Sequence, residues 1–326
     1  MKERTLILCL LILSFTTFRS NAQENYLDYH SRVIECEQLI VESKFREAIN
    51  QLETLFSDYD FIFLREIKLA TVLSLHEKDY ESTFKYIRLG IKSGWTLKSI
   101  QKSNFYETLK EESEWEKISN EYDSLRSLYL SGLNLQLKAQ VHKMFKKDQK
   151  KALGALLRIG EKAQSRYGEK KFAPHSEEQL RLLDSILEKE GYPGEQLIGN
   201  NLWTSVILSH HNSISFDYNS KDQLYPNMRP SLLEALKRGE ISPYELAQME
   251  DWKAAGLTNH DSTSVGFIGK IQNEAALKNV NRNRSAIGLR SIELRNKLID
   301  LEKLTGMNLY LLKGWQNGKI TVADKQ

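Results

Sequence analysis

Apolar residues recur three and four positions apart along almost the whole chain that follows the first 22 residues. No stretch of that region alternates apolar and polar residues for long enough to suggest a half-buried strand. A spacing of three and four places side chains on one face of an α-helix. The pattern therefore predicts an all-α protein.

The first part of this pattern repeats at an offset of 35 residues, which aligns residues 44–49 with residues 79–84. The same offset superposes four more apolar positions: Ile34 on Leu69, Ile40 on Leu75, Leu52 on Ile87 and Phe56 on Ile91. Each copy is typical of a helix-turn-helix unit, and the period resembles that of tetratricopeptide repeats, about 34 residues. Two units leave an apolar face uncovered, so we expect a third, irregular unit from Gly94 to Trp115 to cap them.

The repeats suggest a binding surface for another protein, with Tyr80, Phe84 and Trp95 as the candidate binding residues. Aromatic residues at helical spacing are more often part of a hydrophobic core. Both interpretations stay open at the level of sequence.

One long helix is predicted from about Ser119 past Lys151, joining the two halves of the chain. Further helices are predicted at about 176–190, 199–211, 230–237, 242–255 and 285–304. Ser176 and Gln179 suggest a capping box for the first of these, and Ser242 with Pro243 a capped start for the fourth. Two apolar stretches, 309–312 and 320–322, flank Asn317-Gly318, a sequence typical of a hairpin turn.

The first 22 residues have the pattern of a signal peptide. Lys2 and Arg4 precede about ten apolar residues, and Ser20-Asn21-Ala22 provides small side chains for cleavage after Ala22. The apolar run is too short to span a bilayer, which takes about 20 residues. We therefore expect an exported protein, periplasmic or extracellular, without a stable membrane span. Only Cys36 would remain after cleavage, so no internal disulfide is expected.

The length of 326 residues fits two domains, which we place at 24–134 for the repeats and 135–326 for a second helical domain. Charge differs between the two parts: residues 24–140 hold 15 basic and 20 acidic side chains, and residues 141–326 hold 28 and 22. The overall charge of +3 lacks the basic surplus typical of nucleic-acid binding proteins. Ten basic residues lie between Val141 and Lys171, and segment 143–171 is either a solvated helix face or a docking surface for an anionic envelope component.

Neither nucleophile motifs nor nucleotide-binding motifs occur, so no cofactor is expected. The adjacent His210 and His211 are weak metal candidates, because neighbouring residues on a helix point about 100° apart. His175, Asp217, His260 and Asp261 are the more distant ligands that such a site would need.

The second half resembles a bacterial domain of unknown function that often follows tetratricopeptide-like repeats in exported proteins. The resemblance rests on five short motifs: Asp148-Gln149, Gly191-Tyr192-Pro193, the histidine of Ser209-His210-His211, Tyr244 to Asp251, and Arg284 with Ile287-Gly288-Leu289. It implies that the recurrent polar positions of the family fall on Asp148, Gln149, His211, Asp251 and Arg284. This chain departs from the family in having Lys151 for an arginine, His210 for a glutamine, Trp252 after Asp251, and a divergent stretch at 264–269.

These polar residues have two interpretations. They are a buried network that fixes helix packing, or an acid/base and anion-binding cluster. The first fits a non-enzymatic protein-binding scaffold. The second fits an envelope hydrolase in which His211 and Asp251 exchange protons, Arg284 holds a negative group and Asp148-Gln149 orient the substrate.

Overall fold

The structure, a computed structural model, describes residues 25–311 and 318–323. These residues form sixteen α-helices and no β-strand, which confirms the predicted all-α fold class. The predicted signal peptide, residues 1–22, lies outside the described residues. No helix in the described part of the chain is both long enough and apolar enough to cross a membrane.

The first helices are α1 (Tyr26–Val41), α2 (Phe45–Asp58), α3 (Leu64–His76), α4 (Tyr80–Lys92), α5 (Leu97–Gln101), α6 (Ser113–Ser131), α7 (Leu135–Leu156) and α8 (Glu161–Tyr167). The others are α9 (Ala173–Glu190), α10 (Glu195–Ile198), α11 (Trp203–Asn212), α12 (Phe216–Asn219), α13 (Leu224–Lys237), α14 (Pro243–Gly256), α15 (Glu274–Ala286) and α16 (Ile292–Thr305). A 3₁₀ helix, Asn104–Glu111, follows α5, and a π-helical turn, Gly168–Phe172, joins α8 to α9.

The 35-residue repeat is visible as two helix pairs, α1 with α2 and α3 with α4. Their turns match in detail, because Ser43 and Lys78 both adopt a left-handed conformation, with φ of 59° and 58°. In each turn this residue donates its backbone N–H to the carbonyl three residues earlier, at 3.0 Å. The units form a helical-repeat arrangement, and α6 packs against α4. The predicted third unit, Gly94 to Trp115, contains α5, the 3₁₀ helix and the start of α6.

Two large hydrophobic cores and one small cluster lie within the described residues, and the small cluster consists of Ile271, Val280, Ile292, Ile320 and Val322. The first contains the repeats, up to Leu125, and the second contains residues from Leu137 to Leu289. The chain then returns, and seven buried residues between Leu294 and Leu311 join the first core. As a result, α16 and the segment after it cover the side of the repeats formed by α1 and α3. The predicted domain limit at residues 134 and 135 stays a prediction.

Several predicted boundaries are wrong, for local reasons. The long middle helix is two helices, because the chain turns after Ser131 and Asn134 caps α7 by accepting the Leu137 N–H at 2.9 Å. The predicted helix at 285–304 is α15 and α16, separated at Gly288, whose φ is +75°. Glycine adopts this conformation without steric cost.

Ser176 does not cap a helix. It lies inside α9, buried, with Oγ 3.0 Å from His211 Nδ1. The capping box at the start of α14 is present: Ser242 Oγ accepts the Glu245 N–H, and the Glu245 carboxylate accepts the Ser242 N–H.

The predicted C-terminal hairpin is also wrong in its described flanks, although part of its turn lies outside the described residues. Residues 309–311 pair with no strand, and Val322 forms an isolated parallel bridge with Ile271 instead. The side chain of Asn296 holds the second flank, because it donates to the Ile320 carbonyl at 2.8 Å and accepts its N–H at 2.9 Å.

Candidate functional site

A cavity of about 370 Å³ lies between the repeats and the second half of the chain. On one side it is lined by α1 and α3. On the other it is lined by residues 195–202, the start of α14, residues 288–290 and Tyr310. It is therefore formed where α1 and α3 meet the elements that cover them.

A buried ionic network forms one wall of the cavity. Glu37, on α1, is 1% exposed and receives hydrogen bonds from two arginines. Arg65 Nη2 donates to it at 2.6 Å, and Arg290 donates through Nε and Nη2. Arg65 also donates to Glu66 at 2.9 Å. The network joins residues of the repeats to Arg290 of the second half.

The ring of Tyr244 lies against both guanidinium groups, with its centroid 5.7 Å from Arg65 Cζ and 5.3 Å from Arg290 Cζ. An aromatic face stabilises a cation within about 6 Å. The hydroxyl of Tyr244 is buried and has no hydrogen-bond partner among the described residues. The same is true of His30 Nε2, on α1, whose imidazole is neutral because burial and then Arg65 lower its pKa to about 3.

Two glutamates on the opposite wall are held partly or wholly protonated near neutral pH. Burial raises the pKa of Glu195 to about 8, although its Oε1 accepts the Leu64 N–H at 2.7 Å. Burial raises the pKa of Glu245 to about 7, against hydrogen bonds from Ser242 and Tyr192. A protonated carboxyl group donates one hydrogen bond, so Glu195 adds a donor to the cavity.

Lys68, on α3, is the one cationic side chain in the cavity lining that has no carboxylate partner among the described residues. Its Nζ lies 5.4 Å from the ring centroid of Trp95 and 5.3 Å from that of Tyr310. Burial lowers its pKa, and the nearby Glu195 opposes that shift. The ammonium group thus lies near two aromatic rings, without a hydrogen-bond acceptor among the described residues.

The polar residues singled out by the family resemblance lie away from this cavity. Asp251 is fully buried on α14, and its carboxylate accepts five hydrogen bonds from residues 263–268. Four of the donors are backbone N–H groups, at 2.6–2.8 Å. Arg284, also fully buried, donates to the carbonyls of Val265 and Arg290, both at 2.6 Å. Asp251 and Arg284 therefore hold the same loop from two sides.

His211 belongs to a different network. Its Nδ1 lies 3.0 Å from Ser176 Oγ, and its Nε2 lies 3.2 Å from Asp222, which Lys253 contacts at 2.8 Å. Although burial raises the pKa of Asp222, hydrogen bonds from His211 and Lys253 hold it well below its usual value. His211 is 0% exposed, so it contacts no solvent.

Asp148 lies in a third place, on α7, where its Oδ2 is 2.6 Å from His210 Nδ1. Gln149 is half-buried beside it. The structure thus joins Asp251 with Arg284 and Asp148 with His210, and it gives His211 a separate set of partners.

The metal candidates are dispersed as well. His210 and His211 have different partners, His175 is half-buried, and Asp217, His260 and Asp261 are exposed. Within the described residues, no three or more histidine, cysteine or acidic side chains form a group that could hold a metal ion.

Of the candidate partner-binding residues, two are in the first core: Phe84 and Trp95 are each 4% exposed. Tyr80, at the start of α4, is 38% exposed.

The residues around the cavity were not recognised in the sequence, although one signal was present. Arg65, Glu66 and Lys68 follow each other closely in α3, an otherwise apolar helix. Charged residues in such a helix are almost never buried unless they are paired. Arg290 directly follows the motif Ile287-Gly288-Leu289.

A comparison of the chain with known protein families, with curated proteins and with solved structures finds no match. The resemblance of the second half to an exported bacterial domain stays a prediction.

Proposed function

We propose that the chain is a binding protein and that the cavity between its halves holds a small ligand with a carboxylate group and an apolar body. The observation that carries this proposal is Lys68, a cation at the cavity whose ammonium group has no acceptor among the described side chains. A ligand carboxylate would accept its hydrogen bonds.

The other walls fit the same kind of ligand. Val33 and Leu289 provide apolar surface, and protonated Glu195 and the hydroxyl of Tyr244 provide donors. Sites for small molecules have volumes of about 300–1,000 Å³ and are mostly apolar, with a few polar groups. The cavity, at about 370 Å³, is near the lower end of that range.

Thermal unfolding with simple carboxylates tests this proposal. The probes are hexanoate and benzoate, and their controls are hexanol and benzyl alcohol, which match them in shape and lack the charge. We expect the carboxylates alone to raise the Tm with increasing concentration, because a ligand that binds only the folded state stabilises it. Lys68→Met should abolish the shift.

Lys85→Met is the matched control. Lys85 also lies over an aromatic ring, that of Tyr86 at 5.4 Å, but it is exposed on α4 and paired with Glu53. Equal Tm shifts in the wild type and in Lys68→Met would contradict the proposal. So would equal shifts from the carboxylates and the alcohols.

A protein partner, expected from the repeats, is a second proposal. The side formed by α1 and α3 is covered by the chain itself, so a partner would bind the outer side formed by α2 and α4. The exposure of Tyr80 on that side supports this. A photo-crosslinking residue at position 80 should then capture one specific protein, and the same residue at exposed Leu304 should not.

The hydrolase hypothesis has less support. His211, Asp251 and Arg284 are each 0% exposed, and their described contacts are all to the protein itself. An acid/base pair has to reach a substrate atom within about 3 Å.

Export to the periplasm or beyond remains our expectation from the first 22 residues. We further propose that segment 143–171 binds an anionic component of the envelope. All ten of its lysine and arginine side chains are exposed.

A further inference from the structure

The end of α7 and the whole of α8 project from the second core. The buried residues of α7 are Leu137, Val141, Met144 and Asp148, so burial stops eight residues before the helix ends. None of the described side chains of α8 is buried. The two helices form a hairpin whose tip lies around Ile159.

This tip is apolar and exposed to solvent. Its side chains are exposed to 54% at Leu153, 74% at Leu156, 72% at Leu157 and 97% at Ile159. Single exposed apolar residues are common on protein surfaces, but contiguous ones mark interaction sites. The tip has four exposed apolar residues within a stretch of seven, so they form a contiguous group of this kind.

Cations surround the tip. Lys143, Lys146 and Lys150 are exposed and lie three and four residues apart, so they form one stripe that continues into Leu153 and Leu157. Arg158, Lys162 and Arg166 supply further charge on the turn and on α8. None of these six side chains forms an ion pair with a described carboxylate. The nearest acid on α7, Asp148, is buried against His210.

The hairpin is a defined structure. Gly154 lies so close to Tyr167 that a Cβ at this position would be 2.2 Å from the tyrosine hydroxyl. Arg158 Cζ lies 5.1 Å from the centroid of the Tyr167 ring, and Gln164 donates to the Arg158 carbonyl at 3.0 Å. These contacts close the turn and keep Ile159 at its outermost point.

We infer that this hairpin docks on the surface of an anionic phospholipid bilayer. Leu156, Leu157 and Ile159 enter the interface, and the flanking lysines and arginines contact lipid headgroups. A peripheral anchor of this kind combines apolar burial with attraction to anionic lipids. The convex shape favours a deformable lipid surface, because a protein partner would need a matching acidic pocket. The inference rests on the proposed binding of an anionic component by segment 143–171 and is independent of the cavity.

Co-sedimentation with vesicles tests the inference. The protein starts after residue 22, since the apolar leader would itself enter lipid. We expect binding to vesicles of phosphatidylcholine with about one-third phosphatidylglycerol and none to phosphatidylcholine alone. Replacing Leu156, Leu157 and Ile159 together by serine should weaken binding about ten-fold or more. The same change at two other exposed leucines, Leu128 and Leu304, should leave it unaltered.

A fluorescent label at the tip gives a second measurement. Ile159→Cys can be labelled selectively, because Cys36 is buried and burial raises the pKa of its thiol to about 12. An environment-sensitive dye at position 159 should shift to the blue on anionic vesicles, and a dye at Leu304→Cys should not.

Two results would overturn the inference. One is that the serine variant binds anionic vesicles as tightly as the wild type. The other is that the wild type is retained on a heparin column but binds no vesicles. This result would support the proposal that segment 143–171 binds an anion and contradict the proposal that the anion is a lipid. If the wild type bound neither heparin nor anionic vesicles, both the anion-binding proposal and the lipid proposal would be wrong.

Discussion

The molecule contains two buried ionic centres, and they differ in that the Glu37 centre lines the cavity whereas the Asp251 centre does not. The carboxylate of Asp251 accepts five hydrogen bonds from a single loop, and Arg284 donates to one carbonyl of the same loop, that of Val265. The Glu37 centre also pairs two arginines with a carboxylate. Beside it, however, the hydroxyl of Tyr244 and the ammonium group of Lys68 have no hydrogen-bond partner among the described residues.

The difference separates a structural centre from the proposed binding centre. A buried charge is tolerated when it is paired and hydrogen-bonded. Around Asp251 the donors come from the chain itself, so the centre fixes a loop. At the cavity wall some donors have no acceptor in the chain, which is the condition for recognising a ligand.

Asp251→Asn should have the largest effect on stability. The amide nitrogen would replace one oxygen and face N–H donors, and the negative charge near Arg284 would be lost. Removing one partner from a buried ionic site costs about 3–5 kcal/mol. We expect a loss of this size in the free energy of unfolding, measured by urea denaturation.

Asp261→Asn is the control, because Asp261 is exposed and close to the same loop. Its substitution should change the free energy of unfolding little. If Asp251→Asn were as stable as the wild type, the loop would not depend on this carboxylate, and the contrast between the two centres would be lost.

Glu37→Gln should have the next largest effect. It leaves Arg65 and Arg290 buried beside each other without the carboxylate that now separates their charges. We expect a loss of about 3 kcal/mol. Because the pair with Arg290 joins the two halves, tryptophan fluorescence and circular dichroism should also report separate unfolding transitions.

An exposed pair provides the comparison. Glu234 contacts Lys237 on α13 with more than half of its side chain in solvent, and such pairs contribute little. Glu234→Gln should unfold like the wild type. A coincident, unshifted transition in Glu37→Gln would show that the network does not join the halves.

Local sequence patterns predicted much of the fold. The spacing of apolar residues predicted the helices, and the matching turns at Ser43 and Lys78 have the same 35-residue offset as the predicted repeat. One prediction failed because a polar residue had two possible roles. Ser176 has the position of a helix cap in the sequence, yet it is buried against His211 because the helix begins earlier.

The candidate site could not be predicted in this way, because its residues are far apart in the chain. Glu37 and Arg290 are 253 positions apart, and no local pattern relates them. The motifs of the second half directed attention to Asp251 and Arg284, which are buried and hold a loop. The cavity arises only when the chain returns to the repeats after Leu289.

Glu195→Gln should have the smallest effect near pH 5, and its effect on stability grows as the pH rises. Burial raises the pKa of Glu195 from 4.5 to about 8, with contributions from Glu66 and Glu245, and Lys68 opposes the shift. Between these two values the folded state keeps a proton that the unfolded state has released. The stability that this proton contributes is complete below the unfolded pKa and is lost as the pH rises through the folded pKa.

The glutamine variant resembles the protonated acid at every pH and keeps an acceptor for the Leu64 N–H. Its stability relative to the wild type should therefore rise between about pH 5 and pH 8, by up to about 1.4 kcal/mol for each pH unit. Urea denaturation of both proteins across this pH range measures the difference in their free energies of unfolding. The similar contribution of Glu245 cancels, because Glu245 is present in both proteins. Glu188→Gln, at an exposed position of α9, should give a flat difference. If the stability difference between Glu195→Gln and the wild type were also independent of pH, Glu195 would be ionised at neutral pH and would add no donor to the cavity. Lys68 would then lie near a carboxylate of its own chain.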